Sequence, residues 1–542
     1  MAPGRPLPLV TRAATGAQWE LPGSSVAAHA IMSRQPGEGG GIMGQRLPII
    51  YVRGFAGGQN AIDDAVDDPF YGFNEGSTHI RIGAGGQPRF YQYEGPLLRL
   101  MKEQDYKISI AGSQQQVLMN ASPGELEPDS IWIYRFYDAD SDTFGPPPKP
   151  YDIGLAAKGL ADFVALVRSK TQGGPPVYLV AHSMGGLICR TLLQRELDQP
   201  NEVVSKLCTI GTPHGGINPE LGGPVTAWIM DKFGPMGSQI FTPDHMQQYM
   251  MRDDHDPAAG INPKTGQWDP RRMIGEFSPG RVLSIVGTNA TDYAVALGLS
   301  SAVMGVQSDG LVAIRNAYVY GSARAYVHRS HSGRYGLVNS EEMYQNLSRF
   351  LFGGLRVEVG LHGLDFADQA DRVWQAQVRV AIQGIPVLMH EQTSQHFCPV
   401  DLNAEAKELS TPVSPVPLVT IFLQPKTLST CRYAVDLKVM SLKEEGGILG
   451  FGDHLEQIGD WEDTLIVDVQ LDGNGSAHRL TWQWNSTLNG RIADQTELAN
   501  PLTWEPDTTG GHEWHIVIPL PDAARSLLGE DSRLDLVATL WD

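Results

Sequence analysis

The stretch Tyr178 to Gly186, reading Tyr-Leu-Val-Ala-His-Ser-Met-Gly-Gly, constrains what this chain can fold into more than any other. An apolar run (Val177, Tyr178, Leu179, Val180) stops at a small-x-Ser-x-Gly pattern, and a helix-compatible segment from Leu187 to Leu193 follows at once. The pattern predicts a strand, a tight turn and a helix. Ser183 then sits at the tip of a strained turn, with Ala181 and Gly185 small enough for strand and helix to approach closely and leave the hydroxyl exposed. The Met184 N–H opens the helix and points where an oxyanion would form. Taken alone, Ser183 could equally be a helix N-cap after a buried strand, so its partners decide the reading.

The chain is 542 residues long, which suggests more than one domain, and its apolar fraction is ample for large cores. A formal net charge of −20 disfavours phosphate backbones and anionic membrane surfaces as partners, so nucleic acid is not expected. Four cysteines are too few and too scattered for a disulfide framework, and none forms a metal-type pair, so neither metal nor cofactor is expected. Cys189 and Cys208 read as core residues, whereas Cys398 and Cys431 leave one disulfide open. Prolines at positions 3, 6 and 8 interrupt the apolar core that a secretory signal needs, and no later run approaches the ~20 apolar residues of a membrane span. The expected location is the cytoplasm, with export by another route left open.

Residues 1–46, rich in Pro, Gly, Ser and Ala, read as a flexible arm. A strand, Leu47 to Val52, then breaks into Arg53-Gly54-Phe55-Ala56-Gly57-Gly58, where backbone N–H groups can face a ligand; the Phe55 N–H is the candidate second oxyanion donor. An ordinary glycine-rich connection is the alternative. The segment from about 60 to 129 reads as irregular apart from a helix around Pro96 to Glu103. Strands follow at Ser130 to Phe136, Val204 to Ile210, Arg281 to Gly287 and Arg324 to His328. The helix Ile153 to Ser169 carries Leu155, Leu160, Phe163, Val164 and Val167 as its apolar face. Alternating strands and helices predict a mostly parallel sheet flanked by helices, with its active site at the carboxyl ends of the strands. Residues 217–280 interrupt the alternation with Trp228, Met230, Phe233, Met236, Phe241, Met246, Met250 and Met251. Such a segment suits a cap over apolar substrates, or a small helical core filled by methionine. A helix from about Ser340 to Leu351 closes the domain, giving 47–353 for the catalytic part. Beyond Gly353-Gly354, runs of period two at Leu355 to Val359, Gln375 to Val380, Leu465 to Val469 and Trp514 to Ile518 predict an antiparallel β-sandwich over 354–542. Asp472-Gly473-Asn474-Gly475 reads as a hairpin turn rather than a calcium loop.

Ester or amide hydrolysis needs a nucleophile activated by an imidazole, a carboxylate to hold that imidazole, and N–H donors for the oxyanion. In parallel-sheet hydrolases these follow in the order Ser, acid, His. Ser183, Asp309 and His331 occur in that order. His328 is the rival base, set aside because it falls within the expected final strand, and Asp292 is the rival acid. His214, in the Thr212-Pro213-His214-Gly215 turn, is expected to shape its loop, and His182 to pack under the serine turn.

Four stretches, Arg53-Gly54-Phe55-Ala56-Gly57, Ala181 to Gly186, Gly211-Thr212-Pro213-His214-Gly215 and Ser308-Asp309-Gly310-Leu311-Val312, resemble the oxyanion loop, nucleophile elbow, post-elbow turn and acid turn of bacterial lipases and esterases of the α/β-hydrolase superfamily. The resemblance covers about 47–352. It implies a triad of Ser183, Asp309 and His331 with oxyanion donors Phe55 and Met184. Arg53 stands where many relatives have His, and Ala181 replaces the usual first glycine. Residues 332–335 lack the aspartate through which some secreted lipases hold calcium, so calcium dependence is not implied. The expected substrate is a small-molecule or lipid ester with an apolar acyl group. Phospholipid or polyester cleavage, a lipolytic toxin, and a β-sandwich adhesion protein on an inactive hydrolase scaffold are the alternatives.

Overall fold

The computed structural model describes residues 46–54, 73, 77–82, 88–93, 95–108, 114–136, 152–217, 238–291, 307–333, 336–365, 372–402, 415–424, 430–443, 457–471, 477–492, 495, 498–502 and 513–541. The arm at 1–45, Phe55, Asp292, Trp228, Met230, Phe233, Met236 and the Asp472–Gly475 turn lie outside the described residues.

Among the described residues, nine strands precede residue 330: β1 (Ile49–Val52), β2 (Ser77–Ile82), β3 (Pro88–Tyr93), β4 (Lys107–Ile108), β5 (Ser130–Tyr134), β6 (Val177–His182), β7 (Val204–Ile210), β8 (Val282–Gly287) and β9 (Ala323–Val327). Seven of them form one sheet in the order β4-β5-β1-β6-β7-β8-β9, and every pairing in it is parallel. β1, β6 and β8 are buried along their whole length, the condition of a parallel sheet covered on both faces. β2 and β3 pair as an antiparallel hairpin. The stretch expected to be irregular up to about residue 129 therefore also holds three strands, with a helix at Gln114–Asn120 besides the expected one at Pro96–Glu103 (α1).

The helix Ile153–Lys170 (α2) is capped by Asp152, whose carboxylate accepts from the Leu155 N–H at 3.1 Å. It buries Ile153, Ala156, Ala157, Leu160, Val164 and Val167. Leu155 departs from the expected face and is 69% exposed. At about 100° per residue it lies roughly 140° around the helix from Leu160, on the solvent side. Helix α3 (Gly185–Thr191) follows β6 and runs into a π-helical turn at Leu192–Glu196. Arg190 on α3 is fully buried and donates to the carbonyls of Pro270 at 2.6 Å and Arg272 at 2.8 Å, tying the insertion to this helix. Within the insertion, helix α4 (Pro243–Met250) sends Met246 and Met250 into the main core beside Phe241 and Phe277. These methionines pack the protein interior.

Helix α5 (Glu341–Phe352) begins with Ser340 accepting from the Met343 N–H at 3.1 Å and ends against Lys206. The Lys206 ammonium, buried on β7, donates to the carbonyls of Phe350 and Leu351, both at 3.1 Å. A cation at a helix C-terminus satisfies carbonyls that the helix itself leaves open.

From Leu355 onward the described residues form two antiparallel sheets. One has the order β14-β10-β20-β19, built from β10 (Leu355–His362), β14 (Val416–Leu423), β19 (Glu513–Pro519) and β20 (Arg533–Leu540). The other runs β12-β11-β15-β16-β17-β18, from β11 (Arg372–Ile382), β12 (His390–Gln392), β15 (Thr430–Lys443), β16 (Gln457–Leu471), β17 (Ala477–Trp484) and β18 (Asn500–Leu502), with β13 (Val400–Asp401) beside β11. Side chains of both sheets share one core that includes Trp374, Val435, Val467, Ile518 and Leu536, which makes a β-sandwich. Cys398 and Cys431 are free, so the disulfide left open by the sequence does not form.

The sandwich does not hang free. Phe422 of β14 and Trp541 after β20 join the core of the parallel sheet. Their rings lie 4.9 Å apart, with the Phe350 ring of α5 at 5.1 Å from Phe422 and 5.6 Å from Trp541. The Trp541 indole N–H donates to the Phe350 carbonyl at 2.6 Å. Among the described residues, no helix is long and apolar enough to cross a membrane. Phe422→Ala empties the centre of this aromatic seam and is expected to lower the unfolding free energy by about 3–5 kcal/mol in urea titrations. A loss under 1 kcal/mol would mean the seam contributes little.

Candidate active site

The site forms where β6, β7 and the loop after β9 end at the same edge of the sheet. β6 stops at His182 and the backbone turns at Ser183, whose φ of +54° is left-handed. Side-chain-bearing residues rarely hold that conformation, and here the surroundings fix it. The Ser183 N–H donates to the Ile210 carbonyl at the end of β7 at 2.8 Å, and the Ser183 carbonyl accepts from the Gly186 N–H at 3.0 Å. Glycine is required just after β1 for a steric reason. A Cβ on Gly54 would lie 2.4 Å from the Ser183 Cβ, a distance that real atoms do not reach.

Asp309 lies in a short turn closed by the Ser308–Ala313 bridge. It is fully buried, and its Oδ1 accepts from the N–H groups of Leu311 at 3.0 Å and Val312 at 2.7 Å. The other oxygen, Oδ2, is 2.8 Å from Nδ1 of His331. Nε2 of His331 is in turn 2.9 Å from Oγ of Ser183. The three residues, 126 and 22 positions apart in sequence, thus form one continuous hydrogen-bonded chain. Gly211, with φ of +57°, passes beneath this chain; a Cβ there would press on the imidazole at 3.2 Å and the carboxylate at 3.3 Å. His331 is also held through its backbone, donating its N–H to the Asp309 carbonyl at 2.8 Å. Two residues before His331 in the same loop, Arg329 is paired with Glu342 of α5 at 3.0 Å.

The other histidines take different places. β9 ends at Val327, so His328 stands just beyond the strand rather than inside it as the sequence suggested. What separates it from the serine is its partner: its ring stacks on His396 of the sandwich at 3.7 Å, and its Nδ1 is 3.2 Å from the Thr288 hydroxyl. His214 is fully buried with Nε2 3.0 Å from the Thr209 hydroxyl, and burial holds it neutral far below the usual histidine range. His182 does more than pack under the turn. Its Nε2 lies 3.0 Å from the carbonyl oxygen of His331, and its ring centroid is 5.1 Å from the His331 ring. Burial first, and the neighbouring His331 second, bring its pKa down to about 3. No periodicity in the sequence signals that contact. Met184 is fully buried at the head of α3, and the second proposed donor, Phe55, lies outside the described residues.

A seven-stranded parallel sheet flanked by helices, with a serine at a left-handed turn between the central strand and its helix, defines an α/β-hydrolase fold. The alpha/beta hydrolase family model matches residues 125–390. This part of the chain belongs to the α/β-hydrolase superfamily. No curated protein matches the sequence of the chain. Among solved structures it is similar to the phospholipase PlaB from Legionella pneumophila, with 11% identity over 76% of this chain and 91% of that one and a TM-score of 0.30. It is also similar to the metagenomic carboxyl esterase MGS0156, with 10% identity over 56% and 70% and a TM-score of 0.28. The product of lin2722 from Listeria innocua shares 15% identity over 57% and 94%, with a TM-score of 0.23.

The buried neutral imidazoles of His182 and His214, together with His390 and His396 of the sandwich, which burial likewise shifts down, have a consequence for acid stability. Their folded pKa values lie below the unfolded value of about 6.5, so the unfolded chain binds protons first as the pH falls. Their contribution is fully present above about pH 6.5 and declines below it, by up to ~1.4 kcal/mol per pH unit for each group. Urea titrations at pH 7 and pH 5, where ordinary carboxylates remain mostly ionised, are expected to show the weaker fold at pH 5. Equal stability at the two values would contradict the burial of neutral imidazoles.

Proposed function

We propose that this chain is a serine carboxylic-ester hydrolase that works through an acyl-enzyme. The observation that carries the proposal is the hydrogen-bonded sequence Ser183 Oγ, His331 Nε2, His331 Nδ1, Asp309 Oδ2, with links of 2.9 and 2.8 Å. A serine hydroxyl is a poor nucleophile until a base within hydrogen-bonding reach takes its proton, and Nε2 is within that reach. In the proposed reaction Ser183 Oγ attacks the ester carbonyl while His331 accepts the proton. Asp309, itself fixed by two backbone N–H groups, keeps the Nδ1–H tautomer and stabilises the imidazolium. The N–H groups of Met184 and Phe55 are assigned to the oxyanion. His331 then protonates the leaving alcohol, and a water activated by the same imidazole releases the acid.

Preference for an apolar acyl group rests on Trp228, Met230, Phe233 and Met236, since Met246 and Met250 are committed to the core. Phospholipid and polyester cleavage use the same chemistry and differ only in what the insertion admits. An inactive scaffold carrying a binding sandwich has no need for three converging groups, and it would bind without turnover.

A p-nitrophenyl ester series from acetate to palmitate separates these readings. The wild type is expected to turn over at least the medium-chain esters. Ser183→Ala is expected to reduce kcat by a factor on the order of 10⁶ and Asp309→Asn by about 10⁴. A wild type silent at every chain length would overturn the proposal.

A further inference from the structure

His182 immediately precedes the proposed nucleophile, yet its hydrogen bond runs to the residue proposed as base. Its Nε2 is 3.0 Å from the backbone carbonyl of His331, 149 positions away. A carbonyl oxygen can only accept, so Nε2 must carry the hydrogen, and the remaining Nδ1 of the neutral ring is then the acceptor. The bond closes a circuit. Ser183 is joined covalently to His182, His182 holds the His331 carbonyl, and the His331 ring returns to the Ser183 hydroxyl at 2.9 Å. The spacing between nucleophile and base is therefore set from two sides: by Asp309, which takes both the N–H and the Nδ1–H of His331, and by the residue adjacent to the serine.

We propose that His182 is a positioning residue for acyl transfer, whose Nε2–H fixes the backbone of His331 and so the distance from its imidazole to Ser183. It does not touch the reacting atoms. It acts through His331, and it needs to be uncharged: the two rings lie 5.1 Å apart, and a cation at that range would oppose the imidazolium that forms on His331 during catalysis. Burial at 9% exposure keeps the ring neutral through the range in which such enzymes are assayed.

The inference rests on the acyl-transfer reading above, and the test separates the two. Full-length wild type, H182F, H182N and H182Q are compared by kcat and KM on p-nitrophenyl butyrate, by the rate of Ser183 labelling with a fluorophosphonate, and by Tm. Phe keeps the ring and removes the donor, Asn is too short to reach, and Gln carries an N–H at similar reach. H182F and H182N are expected to lose about 10- to 100-fold in kcat and in labelling rate, with KM within threefold, since small misplacements of a reacting group cost about that much. H182Q is expected to recover most of the loss. If H182F does not fold, the H182N and H182Q pair carries the same comparison. Turnover of H182F or H182N within threefold of wild type, or a loss in H182Q as deep as theirs at native Tm, would overturn the inference and leave the acyl-transfer reading standing. A wild type that neither turns over ester nor labels would overturn both.

Discussion

The left-handed turn at Ser183 is the constraint on which the site depends. An extended strand that ended in ordinary geometry would leave the hydroxyl lying along the sheet, whereas φ of +54° swings it out beyond the strand ends. Side chains other than glycine pay on the order of 1–2 kcal/mol for that conformation. The cost is met by the sheet: β6 lies between β1 and β7 and is buried throughout, and its terminal N–H groups are committed to neighbours. Gly54 leaves the space that the turn occupies.

Two loops of different origin then converge on that hydroxyl. The Asp309 turn folds on its own carboxylate, through the Leu311 and Val312 N–H groups, before it meets anything else. His331 docks on it by backbone and side chain together, so the carboxylate sets both the position and the tautomer of the imidazole. The loop carrying His331 is braced by α5 through Arg329 and Glu342, and α5 is itself clamped by Lys206 and by the Phe350, Phe422 and Trp541 seam. Residues of the sandwich thus support, through one helix, the loop that holds the imidazole. The stacking of His328 on His396 makes a second connection between the same two parts.

Much of this was legible in the sequence because it rests on local patterns. Runs such as Ile49 to Val52 and Tyr178 to Val180 are apolar because parallel strands are buried on both faces, and period-two runs such as Trp514 to Ile518 alternate because sandwich strands are buried on one. The order Ser183, Asp309, His331 pointed to the residues that the structure brings together. Other features have no such signature. The hairpin of β2 and β3 lies in a glycine-rich stretch without a clear alternation, and Leu155 is apolar yet out of phase with the buried face of its helix. His328, expected as the last residue of the final strand, lies one residue beyond its observed end, and only its stacking partner, 68 positions away, shows where it faces. The His182 contact and the Phe422–Trp541 seam join residues far apart in sequence, and each depends on the completed tertiary structure.

The central claim is that Ser183 carries the acyl group between two half-reactions. Mixing the full chain with a p-nitrophenyl ester, quenching with acid within the first turnover and mapping the digested protein by mass spectrometry tests it directly. The account predicts a gain of one acyl mass on Ser183 itself. Release of p-nitrophenol with the adduct on another residue, or with no adduct at any time point of a resolved burst, would contradict it.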